Sequence, residues 1–238
     1  MISPAPLPRR LAIGLIALIS CTFAANHVAA RLAFDHGTGL LLAVLCRSGA
    51  TALVLAALVA WRRPARSMPP GMLRWQLLLG ALVATQSLCL YSAVARIPVA
   101  LALLVSNVCP VLLALWITDH RLKAMPGMWR SLMTVGSVFA LMVAAGASGL
   151  VPGGMRWPEA TPGWWGLAAL VVLYGTAFTA MFVSLPRLDM ARNAPVMNAE
   201  PVATLLLGWW ILDQTLQPLQ LAGGAVVLAA IVALGRKG

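Results

Sequence analysis

The chain has 238 residues, of which 61% are hydrophobic and only 10% charged, with a formal net charge of +11. A soluble domain carries about a quarter charged residues, so the polar side chains here are too few to cover a water-facing surface, and a soluble enzyme is excluded. In a soluble protein such a positive charge would point to nucleic acid. Here the cations sit in short loops between apolar runs, where they set membrane topology.

Arg9 and Arg10 precede the first apolar run, as in a signal peptide, and Leu18-Ile19-Ser20-Cys21 resembles a lipoprotein cleavage box. The run continues past Cys21 to Ala30, so it is read as a retained first helix. Apolar runs of about 20 residues match the ~30 Å hydrocarbon core of a bilayer. Eight are present: 11–30, 39–61, 75–94, 98–118, 130–149, 164–185, 193–213 and 219–235. The expected fold class is an all-α polytopic membrane protein of about eight transmembrane helices. Two connections are longer than the rest, 62–74 and 150–163, and both are loops on their Pro and Gly content. Trp61, Trp75, Trp129, Trp164 and Trp165 fall at span ends, where indole favours the membrane interface. Cys21, Cys46, Cys89 and Cys109 lie inside apolar runs without disulfide or metal-ligand spacing, and read as small apolar fillers.

Orientation follows from the Lys and Arg distribution. With the N-terminus in the cytoplasm, that side holds Arg9, Arg10, Arg62, Arg63, Arg66, Arg74, Arg121, Lys123, Arg130, Arg187, Arg192, Arg236 and Lys237, thirteen cations. The opposite side holds three, Arg31, Arg96 and Arg156, and Arg47 lies within a span. An even span count keeps both termini cytoplasmic, and the expected location is the inner (plasma) membrane.

Two stretches repeat. The sequence 96-RIPVALALLVSNVCPV-111 aligns with 187-RLDMARNAPVMNAEPV-202 at an offset of 91, sharing Arg96/Arg187, Asn107/Asn198, Pro110/Pro201 and Val111/Val202 among other identities. In the topology above the copies run in opposite directions, which is the inverted repeat that many secondary transporters use to open a central site to each side in turn.

At this point the chain resembles the EamA-type branch of the drug/metabolite transporter superfamily. The resemblance rests on 22-TFAANHVAARLAF-34, Leu45-Cys46-Arg47, 110-PVLLALWITDHRL-122, 198-NAEPVATLLLGWWILDQTL-216 and 221-LAGGAVVLAAIVALG-235. The turns at 118–122 and 212–216 carry Asp where such proteins more often carry Glu. The resemblance implies two inverted halves of five helices. Here residues 1–149 make a complete first half, 164–238 a second half of three helices, and the 150–163 loop stands in place of the missing pair.

Several side chains at membrane depth are candidates for substrate binding or coupling. Arg47 lies ~12 Å along its helix at 1.5 Å per residue, and a charge so placed usually faces a cavity or a partner. It could anchor a substrate carboxylate or phosphate, or pair structurally with Glu200. Glu200 is the one acid well inside a span, and Pro201 after it deprives the Met197 carbonyl of its helical partner. A buried Glu suits proton coupling, since burial favours its neutral form; the alternative is a packing Glu at a kink. Pro110 is the matching helix break in the first copy. Asn107 and Asn198, each one turn before its proline, are placed to bridge the broken helices or to touch substrate. Asn26 and His27 are the polar pair of the first span, on the stretch the resemblance puts beside the cavity. Tyr91 and Tyr174, with Thr85, Gln86 and Thr176, are further cavity candidates.

No metalloprotease, nucleophile-elbow or Walker motif is present, so catalysis is not expected, no cofactor is called for, and active transport would be secondary. The leading expectation is a secondary transporter that exports a small polar metabolite or amino acid, linked to protons. The shortened second half leaves a second reading open, a transport-inactive relative serving as a membrane partner or assembly subunit. A homodimer would let two shortened copies complete one cavity.

Overall fold

A computed structural model describes residues 7–63, 71–106, 127–151, 154–184, 187–188 and 193–236. Within them the chain is helical: α1 (Arg9–Asp35), α2 (Leu40–Arg62), α3 (Met72–Val94), α4 (Val99–Ser106), α5 (Gly127–Ala147), α6 (Thr161–Ser184), α7 (Ala199–Leu212) and α8 (Pro218–Arg236), with a 3-10 turn at Ala194–Asn198 before α7. There is no strand among the described residues. Five helices, α1, α2, α3, α5 and α6, are long and apolar enough to cross a membrane, and the protein is a multi-pass membrane protein. Asn107, Pro110, Cys109 and the 118–122 turn lie outside the described residues.

The helix limits differ from the apolar runs where local chemistry intervenes. α1 runs on to Asp35, beyond the apolar run, because Arg31 donates from Nε to both Asp35 carboxylate oxygens at 2.8 and 2.9 Å, an i,i+4 pair that satisfies both charges on the helix. The 193–213 span divides into a 3-10 turn and a shorter α-helix. Pro195 lies in that turn and Pro201 in the first turn of α7, where a missing N–H costs no intrahelical bond. Asp213 then ends α7 with φ 51°, a left-handed cap that Asp tolerates better than most residues.

Packing follows small residues. In lipid no hydrophobic force drives helices together, so close approach and polar contacts hold them. α1 lies against α6 and α7, α2 against α5 and α6, and α3 against α5. Gly166 of α6 sits directly on α1: a Cβ there would lie 2.7 Å from the Ala33 nitrogen and 2.9 Å from the Ala29 carbonyl oxygen. Gly49 faces the Phe139 ring, and Gly146 faces Leu41. Between α3 and α5, fully buried Gln76 donates to Thr134 Oγ1 at 2.7 Å. The largest core cluster gathers Ala30, Ala33, Leu42, Val44, Tyr91, Val138 and Leu170. Large apolar side chains such as Leu53, Val172 and Val226 point outward, as a lipid-facing surface requires.

Candidate functional site

Five helices bring polar side chains to one place in the core. α2 supplies Arg47, α3 supplies Ser87 and Tyr91, α1 supplies Asn26 and His27, α6 supplies Tyr174, and α7 supplies Glu200. Ser87 and Tyr91 are four residues apart, so both stand on one face of α3.

Arg47 is 5% exposed. Its Nη1 donates to the Tyr91 hydroxyl at 2.9 Å and its Nη2 to Ser87 Oγ at 2.8 Å. Ser87 can accept because its own proton goes to the Val83 carbonyl at 2.8 Å. The guanidinium also stands 4.4 Å from the Tyr91 ring centroid and 4.3 Å from that of Tyr174, so two aromatic rings flank it. Such contacts are worth about 2 kcal/mol when desolvated. The Nε–H is buried without an acceptor. No carboxylate lies within ion-pair distance of Arg47 among the described residues. The guanidinium is thus oriented by neutral groups and retains donor capacity.

Glu200 pairs with His27, Nε2 to Oε1 at 3.3 Å, so the Arg47–Glu200 pair that sequence left open is not formed. His27 Nδ1 is buried with no partner. The His27 and Tyr91 ring centroids are 6.0 Å apart, edge to face, which links the pair to the arginine clamp. Asn26 Nδ2 lies 3.5 Å from the Tyr91 hydroxyl, and its Oδ1 is an orphan. Turned over, the amide would accept the tyrosine proton.

The remaining candidates stand elsewhere. Asn198 is exposed at the start of α7 and makes no side-chain cap. Thr85 and Thr176 are exposed and bond back to Ala81 and Val172 carbonyls. Ser87 was missed by sequence reasoning, although its helical spacing from Tyr91 could have found it. Phe34 was missed as well; its ring packs edge to face on Tyr91, 5.7 Å between centroids, and no polar atom advertises it.

Residues 123–236 match the model of the EamA-like transporter family. Comparisons with curated proteins and with solved structures found no match. The matched stretch takes in α5 through α8, with Tyr174 and Glu200. Over this stretch, just under half of the chain, the sequence is similar to the EamA-like transporter family, a family of membrane transporters.

Proposed function

We propose that this chain is a secondary transporter of the drug/metabolite type that exports a small polar metabolite bearing a carboxylate, such as an amino acid, by alternating access. One observation carries the reading: a buried arginine held by hydroxyls and aromatic faces with no counter-ion among the described residues. Burying an unpaired cation costs several kcal/mol. A substrate carboxylate accepting from the guanidinium fork would offset that cost with charge-assisted bonds. The His27–Glu200 pair is the proton-coupling group of this proposal, since the two titratable side chains meet at 3.3 Å beside the arginine clamp. The sequence supports the rest of the reading. The cation bias puts both termini in the cytoplasm of a cell whose inner membrane the chain spans. The two stretches that repeat at an offset of 91 are, in this reading, the inverted elements that rock about the site.

Purified protein in liposomes, loaded with a labelled amino-acid mixture, provides the test. Arg47→Ala is expected to cut flux about tenfold or more, the loss of a hydrogen bond to a charged group. Arg47→Lys should recover part of it, because charge remains but the planar fork does not. Glu200→Gln should abolish acceleration by a proton gradient while sparing exchange at zero gradient. Flux that survives Arg47→Ala intact removes the anchor, and gradient-driven flux unchanged in Glu200→Gln removes the coupling. No flux from well-folded wild type would favour the partner-subunit reading.

A further inference from the structure

The three cations that the charge count assigns to the side away from the termini gather at one end of the bundle. Arg31, besides its pair with Asp35, donates from Nη1 to the carbonyls of Val94 and Ile97 at the end of α3. Arg96 and Arg156 line a cavity of about 410 Å³ at the junction of α1, α2 and α3, together with Phe34, Thr38, Leu88 and Ser92. No carboxylate lines it. Near this end Asp35 is held by Arg31, and the Glu159 side chain lies against Gly37.

Three features of this cavity favour an anion. Arg96 uses Nη1 on the Ser92 carbonyl at 2.8 Å, and its other donors and the exposed Arg156 fork remain available to a ligand. Thr38 is 4% exposed, yet its Oγ1 has no hydrogen-bond partner. A buried hydroxyl without a partner costs about 1–3 kcal/mol, which a ligand oxygen would remove. Finally, Gly39 precedes α2 without a side-chain cap and lines the cavity, so the positive end of a 23-residue helix faces the same space. The site is built firmly. The Gly39 N–H donates to the Arg156 carbonyl at 2.8 Å, and a Cβ at residue 39 would meet Gly154 O and Arg156 N at 2.9 Å. Only glycine lets the loop carrying Arg156 come this close to α2.

We propose that this cavity is a second anion-binding site, for a carboxylate or phosphate group, set apart from Arg47 by two aromatic rings in succession. Phe34 is its floor, Tyr91 packs on Phe34, and Arg47 packs on Tyr91. The site stands on its own residues and does not depend on the transport reading.

The test is equilibrium dialysis of radiolabelled inorganic phosphate against the full chain in nanodiscs. In phosphatidylcholine discs, the Arg96→Ala/Arg156→Ala double variant should bind about tenfold or more weakly, having lost two charged donors. Arg156→Gln alone should weaken binding about fivefold and Thr38→Val about threefold, the worth of one neutral hydrogen bond. Both arginines are exposed, so their loss leaves packing intact, and the melting temperature checks it. Arg47→Ala should keep the phosphate bound between Arg96 and Arg156, which separates this site from the central one. Displacement of phosphate in phosphatidylglycerol discs would identify a lipid headgroup as the occupant, and unchanged binding there would identify a free anion; either supports the site. Equal binding by wild type and the double variant would overturn it, as would loss of all binding in Arg47→Ala.

Discussion

Helices α1 and α6 meet backbone to backbone, whereas α8 touches the described bundle chiefly through α7 and the 3-10 turn before it. Both regions are rich in small residues, yet they use them differently. Gly166 is filled over by α1, with the Ala29 and Ala33 backbone where its side chain would be. Gly223 has nothing within 4 Å of a prospective Cβ among the described residues, and Gly224 only the Val202 methyls at 3.7 and 3.9 Å. α8 otherwise presents Leu219, Leu221, Val226 and Val232 outward. A glycine-rich helix is therefore not by itself a packed one. What decides is whether another backbone occupies the space the missing side chain leaves.

The sharpest way to break this contrast is at Gly166. A valine there must push α1 from α6, because the obstacles are backbone atoms that cannot swing aside. Overpacking of this kind costs about 3 kcal/mol, or roughly 6–12 °C in melting temperature for a chain of this size. Thermal unfolding in detergent reads it directly. A melt unchanged from wild type would mean that α1 and α6 do not touch as described.

Next comes the polar centre of the same tight region. Tyr91→Phe keeps the ring that flanks Arg47 and packs on Phe34, and removes only the hydroxyl that accepts from Nη1. Leaving a buried guanidinium with one acceptor fewer should cost about 1–3 kcal/mol, less than Gly166→Val because no helix moves. Ser87→Ala should cost about the same by the same logic, and the two should be non-additive, since both serve one guanidinium. Strictly additive melts would separate them.

How much of this was legible in sequence depends on the range of the interaction. Apolar runs and loop prolines anticipated the helices of the described residues, the 98–118 run being described only as far as Ser106, because bilayer thickness and backbone chemistry act locally. Arg47 and Glu200 stood out because charge is rare at membrane depth. Their partners did not: His27 meets Glu200 across more than half the chain, and Tyr91, Ser87 and Tyr174 reach Arg47 from two other helices. Nothing local distinguishes a Glu that pairs with Arg from one that pairs with His. The 193–213 run hid its division because hydropathy is blind to prolines, although Pro195 and Pro201 were in plain view. The glycines conspicuous in the sequence are those of α8, while the one under the closest backbone contact to α1, Gly166, sits among tryptophans and alanines that mark nothing.

The smallest effect belongs to α8. Gly224→Ala adds a methyl at ordinary contact distance from Val202, and Gly223→Ala adds one where the described residues leave room. An alanine also loses less backbone freedom than glycine on entering a helix, by about 0.5–1 kcal/mol. The double variant should therefore melt at or slightly above the wild-type temperature, in the direction opposite to Gly166→Val. A loss comparable to that at Gly166 would place a further surface against this face of α8. Chemical crosslinking of wild type in its native membrane would then show whether that surface is a second copy of the chain, the arrangement that lets two shortened halves close one cavity.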